Sequence, residues 1–189
     1  MNLADALSVA RNMKTETGLF WPVPILNLLE NVDNIRGAKK IALLDPNVDG
    51  NPVIAVQEVD KIEEMSADQK LEIAEKVFGT TDKEHPGVAP FMAAGNFVVS
   101  GPIKVLNFSY FESDFPETFR TADQSREEIE ANGWEKVVAF QTRNPMHRAH
   151  EELCRMAKDA VSADGILIHM LLGKLKAGDI PADVRDASI

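Results

Sequence analysis

Ten residues, Gln141-Thr142-Arg143-Asn144-Pro145-Met146-His147-Arg148-Ala149-His150, bring together two histidines, two arginines, a glutamine and an asparagine, with no acid among them. The chain that holds them carries a formal net charge of −10. An acidic protein that gathers cations and amide donors in one stretch concentrates positive potential there, and the ligand that chemistry fits is an anion. A guanidinium grips two oxygens at once, and an imidazole donates near neutral pH in either protonation state. The apolar run Val137-Val138-Ala139-Phe140 precedes the stretch, and Glu151-Glu152-Leu153-Cys154-Arg155-Met156-Ala157 after it reads as helix. Strand, polar turn and helix in that order turn unpaired N–H groups and a positive dipole end toward the turn. Asn144 is expected as the N-cap and Pro145 as the first helical residue. That phase puts His147 and His150 on one face. The implied ligand is a nucleotide triphosphate or a similar polyanion.

The chain's bulk properties narrow the surroundings of such a site. Its 189 residues suit one or two domains, and 44% hydrophobic with 26% charged residues is the balance of a water-soluble globular protein. No run approaches the roughly 18 apolar residues that would cross a bilayer. Met1-Asn2-Leu3-Ala4-Asp5-Ala6-Leu7 has neither the basic nor the long apolar region of a secretory signal, so a cytoplasmic protein is expected. The single cysteine, Cys154, excludes an intrachain disulfide and a Cys-rich zinc site. Strong negative charge argues against nucleic acid and anionic membranes as partners.

Two textures divide the chain. Leu3, Ala6, Leu7, Ala10 and Met13 recur at helical spacing. From Phe20 to about Phe108, short apolar runs are broken by Pro, Gly, Asn and Asp. Trp21–Leu26 holds two prolines and is expected as edge strand or irregular chain. Residues 40–44 and 53–56 read as a hairpin with a long loop. Ser66-Ala67-Asp68-Gln69 is a capping box for a helix that runs to Phe78 and stops at Gly79. The acids of 58–75 read as its solvated face. Residues 97–100 and 103–106 read as strands parted by Gly101-Pro102, and His85 as a loop residue. The expectation is a β-rich α+β domain over 1–115, with a boundary at Pro116. Over 116–189, a helix capped at Thr121-Ala122-Asp123-Gln124 leads to strand 136–140, helix 145–159, strand 166–172 and a helix over 180–189 opened by Pro181. Strand, helix and strand form a βαβ unit with a parallel sheet. Two strands do not complete an open sheet, so a C-terminally truncated α/β domain is expected.

At these residues the chain resembles the ATP sulfurylase (sulfate adenylyltransferase) family, whose signature is Gln-x-Arg-Asn-Pro-x-His-Arg-x-His-Glu. Gln141, Arg143, Asn144, Pro145, His147, Arg148, His150 and Glu151 match it, as do the stretches 99–102, 119–122, 133–140 and 178–181. The resemblance implies a PUA-like β-rich first domain, N-terminally incomplete, and the first part of a Rossmann-like nucleotidylyltransferase domain. The family's downstream Gly-Arg-Asp-His segment does not occur in these residues, so about half of a family chain is expected.

The resemblance implies transfer of the adenylyl group of ATP to sulfate, giving adenosine 5′-phosphosulfate and pyrophosphate. Sulfate attacks the α-phosphorus in line, without need of a general base. It implies Gln141 and Arg143 on sulfate, with Gln141, Thr142, Arg143 and Asn144 on ATP. Thr142, Arg143, Asn144, His147 and His150 are the expected catalytic set, with no protein-held metal. Magnesium is expected to arrive with ATP, and the complete protein to be a homo-oligomer. Other readings remain open at this point. One is a nucleotidylyltransferase of the His-x-Gly-His type, and another an inactive fragment or nucleotide-binding module. A zinc site on His147, His150 and Cys154, or simple solvated imidazoles, would be blander still. Cys154 is expected buried, His169 as a core histidine, and Arg148 either on phosphate or paired with Glu151 or Glu152. Lys174 and Lys176 read as loop residues that could close over a ligand.

Overall fold

The computed structural model describes residues 1–173 and 178–189, and Lys174 and Lys176 lie outside the described residues. The chain forms two compact units, Met1–Phe108 and Ser109–Ile189. Their divide falls ahead of Pro116. Phe111 explains why: its ring packs on Phe115 at 6.4 Å and Phe119 at 5.9 Å, so residues 109–115 belong with the second unit.

In the first unit, helix α1 (Leu3–Asn12) is capped by Asn2, whose side chain accepts from Asp5, and ends at a left-handed Met13. Residues 21–26 are irregular, since two prolines cannot donate to a ladder. Strand β1 (Asn27–Leu29) comes after them, then the hairpin of β2 (Lys40–Leu44) and β3 (Val53–Glu58), then β4 (Lys61–Glu64). Helix α2 (Ala67–Phe78) carries the full Ser66–Gln69 capping box and stops at Gly79 with φ 71°. Next come α3 (Val88–Ala93), β5 (Phe97–Ser100) and β6 (Ile103–Val105). The strands make two antiparallel sheets, ordered β1-β5-β4 and β2-β3-β6. Gly101 is the corner where the chain leaves one sheet for the other. Its φ is 149°, and a Cβ there would lie 2.1 Å from the Glu58 carbonyl oxygen.

Leu3, Ala6, Met65, Ile73 and Val98 form the core between α1, α2 and β5. The acids of 58–64 are not a helix face: Glu58 ends β3, and Glu63 and Glu64 lie in β4, where Glu63 accepts the N–H of Leu3 at 3.0 Å. Pairing with β5, distant in sequence, overrides the local pattern. Lys70 is buried in α2, its ammonium held by the Ala94 and Gly95 carbonyls and Asn96 Oδ1; burial pushes its pKa down.

The second unit positions the polar turn. It holds α4 (Phe111–Asp114), α5 (Ala122–Ala131) with the Thr121–Gln124 capping box, β7 (Val137–Thr142), α6 (Arg148–Val161), β8 (Gly165–Met170) and α7 (Ala182–Asp186). Strands β7 and β8 run parallel, in register from Val137↔Gly165 to Thr142↔Met170. The fold is therefore a β-rich α+β unit followed by an α/β unit. The last helix is shorter than 180–189, because Pro181 has an extended ψ of 146° and stands outside it.

Alternation splits the parallel pair into two faces. Phe140 packs toward α6, its ring 5.6 Å from that of His150, and Cys154 of α6 is buried. Gln141 and its register partner His169 are both exposed on the other face. His169 is thus not a core histidine. An apolar strand buries both faces only when layers cover both, and among the described residues this face opens on a cavity of about 480 Å³.

The start of the pair is pinned by Asp164, whose Oδ2 accepts the N–H groups of Glu135 and Lys136 at 2.9 Å each. Those two donors, Lys136 first, hold its carboxyl below the usual carboxylate range. A depressed carboxyl stabilises the fold above its unfolded pKa of about 4 and loses that contribution as pH falls through the folded value. Thermal melting of the wild type and Asp164→Ala should therefore differ at pH 7 and converge as pH drops below about 4. A gap independent of pH would contradict this role.

Candidate functional site: an anion turn at the end of a parallel strand

The turn between β7 and α6 is built from its own residues before any ligand is considered. Thr142 is buried at the end of β7, and its Oγ1 donates to the Asn144 carbonyl at 2.9 Å while accepting the Asn144 N–H at 3.1 Å. That pair of bonds bends the chain sharply at Arg143. The Met146 N–H is taken by Ser188 Oγ at 3.1 Å. Helix α6 begins only at Arg148, with His147 as its N-cap in extended conformation. The helix start expected at Asn144 and Pro145 is thus moved three residues on, because Ser188 takes the Met146 N–H that a cap at Asn144 would serve, while Thr142 ties Asn144 into the bend.

His147 caps with a ring nitrogen: Nδ1 accepts from the Ala149 N–H at 3.3 Å. A neutral ring bonded in this way carries its proton on Nε2, which remains a donor. The His150 ring lies against it, with centroids 3.8 Å apart at 30°. His150 Nδ1 is buried and has no hydrogen-bond partner among the described residues. The pair sits at the positive end of a fourteen-residue helix.

Arg143 is part-exposed and its Nη2 donates to Asp179 Oδ2 at 2.6 Å. Gln141 and Asn144 are exposed. Arg148 is exposed with no ion pair among the described residues, since Glu152 pairs with Arg155 instead. His147 and Arg148 line a cavity of about 290 Å³ with Met146, Glu151 and Ile168, whereas Gln141 lines the larger cavity beside Phe119 and His169. Ile168 borders both. The expected site residues are therefore gathered at one strand end, but they open in two directions. Asp179, Arg185 and Ser188 also touch the turn. Only Asp179 lay in a stretch marked by the family resemblance, and no local pattern pointed to the other two. Among the described residues, no group of three His, Cys, Asp or Glu side chains is placed to hold a metal ion. No helix among them is long and apolar enough to cross a membrane.

Comparison with known proteins agrees with this division. Residues 1–108 match the PUA-like domain family model, and residues 116–189 match that of ATP-sulfurylase. The chain belongs to the PUA-like domain family through residues 1–108, and its remainder is similar to the ATP-sulfurylase family. The whole chain aligns with a sulfate adenylyltransferase of Alcanivorax borkumensis at 72% identity, covering 47% of that protein. It aligns with one of Allochromatium vinosum at 62%, covering 48%, and with one of the Riftia pachyptila sulfur-oxidizing endosymbiont at 59%, covering 43%. The chain thus spans about half the length of the curated relatives it matches. A solved structure of a hexameric APS kinase from Thiobacillus denitrificans shares the fold, with TM-score 0.61 and 20% identity over 95% of this chain and 30% of that one.

In the part that matches ATP-sulfurylase, then, His147 caps α6 through Nδ1 and keeps Nε2 outside that bond. Replacing His147 with Ala removes both and should cost about 1 kcal/mol of stability, the scale of a lost N-cap. His147→Asn restores a capping acceptor without the imidazole. It should melt close to the wild type, yet lose affinity for pyrophosphate in calorimetry. Equal melting of wild type and His147→Ala would remove the capping role.

Proposed function

We propose that this chain carries the anion-binding turn of a sulfate adenylyltransferase, joining ATP and sulfate to give adenosine 5′-phosphosulfate and pyrophosphate. The observation that carries the reading is the turn itself. A guanidinium, two adjoining imidazoles and exposed amides stand at the carboxyl end of a parallel strand, where open α/β sheets bind ligands. The names of relatives up to 72% identical support the same reaction.

The chemistry asks little of acids and bases. Sulfate is already an anion at neutral pH. Its oxygen forms a bond to the α-phosphorus, while the bond from that phosphorus to the bridging oxygen breaks and its electron pair leaves with pyrophosphate. The difficulty is to bring two anions together and to spread charge in the five-coordinate state, a task for positioning and fixed donors. Arg143 and Gln141 take sulfate. Gln141, Asn144 and Arg143 orient the nucleotide, with Thr142 acting through the bend it imposes. Nε2 of His147 and the ring of His150 serve the phosphates and the departing pyrophosphate. Guanidinium, imidazole and amide donors fit an anion and are no cage for a hard cation. Magnesium would thus come with the nucleotide, on phosphate oxygens and water, and lower the charge those donors must meet.

The strand-helix-strand unit reads as the start of a Rossmann-like nucleotidylyltransferase sheet, in a cytoplasmic enzyme where ATP is at hand. Assembly into a homo-oligomer is supported by the T. denitrificans structure, which is named as a hexamer. The test is ATP formation from adenosine 5′-phosphosulfate and pyrophosphate, in a chimera joining this chain to the remaining half of the A. borkumensis relative. Arg143→Ala should lower turnover by about 10²-fold or more, the scale of a lost transition-state donor. Near-normal turnover would take Arg143 out of the mechanism.

A further inference from the structure

Residues 178–189 meet the anion turn at three points. Asp179 Oδ2 accepts from Arg143 Nη2 at 2.6 Å. Arg185, buried to 1% exposure, donates through Nη1 to the carbonyl of Arg143 at 3.2 Å and to that of Leu171. Ser188 Oγ accepts the Met146 N–H and donates to the Arg185 carbonyl at 2.6 Å. One segment therefore fixes the side chain of Arg143, the backbone of Arg143 and the backbone three residues on.

We propose that this segment is a clamp for the anion turn, with Asp179 as the positioning residue that sets the Arg143 guanidinium before an oxyanion arrives. The inference rests on the reading of Arg143 given above and adds the residues that hold it. The geometry of the pair carries it. Of the five N–H groups of Arg143, Asp179 takes one on Nη2, so the rest of the fork stays available to a second anion. A carboxylate gripping the fork with both oxygens would instead compete with sulfate for the same donors. Asp179 is also the less exposed partner, its side chain 15% accessible against 37% for Arg143, as a support beneath a working group should be.

A carboxylate beside an anion site has a cost, since its charge opposes the ligand. Arg185 offsets it. Arg185 is a second guanidinium at the strand ends, and its Nε and Nη2 are buried with no hydrogen-bond partner among the described residues. Arg185 ties the ends of β7 and β8 together through the two carbonyls, so its charge is fixed directly under the turn.

The opposing effects give the test a sign. If Asp179 only weakens the positive field, Asp179→Asn tightens binding of an anion. If it positions Arg143, the same isosteric change loosens binding although a negative charge has been removed. The experiment uses this chain with sulfate as the probe. The Arg143 Nε–H resonance is followed by ¹⁵N NMR without ligand, and sulfate affinity is followed by calorimetry. In Asp179→Asn, the Arg143 resonance should move to the position of a freely rotating arginine. Sulfate affinity should fall about 10-fold, and Asp179→Glu should recover part of it, as for other supporting residues of a binding group. An unchanged Arg143 resonance overturns the clamp, as does unchanged or tighter binding of sulfate where the wild type binds it through Arg143. If Arg143→Ala binds sulfate as the wild type does, or the wild type binds none while its Arg143 resonance responds to Asp179→Asn, the sulfate role of Arg143 fails and the positioning contact stands.

Discussion

Donor groups can meet an incoming anion in place only if something else already holds them, and the second unit is organised around those supports. Arg143, His147 and His150 are each tied to something other than a ligand. Arg143 is tied to Asp179, His147 to the Ala149 N–H, and the His150 ring to those of His147 and Phe140. Positioning donors before the substrate arrives is what lets them act on charge as it develops, with no reorganisation left to do. The energy for it comes from folding, through the parallel ladder and the buried residues under α6.

That dependence runs backward along the chain. The turn can stand where it does only because β7 ends at Thr142, and β7 is fixed in register by β8 and by the Asp164 bonds at its start. Gly165 allows the close approach there, since a Cβ would lie 2.2 Å from the Trp134 ring. Trp134, Asp164 and Gly165 thus set the far end of the strand whose near end carries the turn. Residues 178–189 close the arrangement from the other side, so the turn is held by contacts from both directions of the sequence.

How much of this the sequence disclosed depends on how local each interaction is. Both capping boxes were legible, because Ser66 with Gln69 and Thr121 with Gln124 satisfy backbone groups within three residues. The hairpin of β2 and β3 and the parallel pair were legible from apolar runs and turn residues. The residues of the turn between β7 and α6 stood out by type, and the structure gathers them at one strand end. The start of α6 was not: Asn144-Pro145 is a good local cap, and it loses to a bond from Met146 to Ser188, forty-two residues away. Strand β4 hid behind its acids because its partner β5 lies beyond α2 and α3. His169 sits in an apolar run and still faces out, since the pattern shows what a strand could bury and not whether a second layer covers it. Arg185 gave no signal, for a buried guanidinium is defined by the carbonyls it finds.

The central claim is that sulfate and the triphosphate meet at this turn. The most direct measurement is a crystal structure of this chain with sulfate and a non-hydrolysable ATP analogue. The account predicts a sulfate oxygen within hydrogen-bond distance, about 2.7–3.2 Å, of an Arg143 guanidinium nitrogen, and phosphate oxygens against Nε2 of His147. A nucleotide bound elsewhere, with both imidazoles turned to open water, would contradict it.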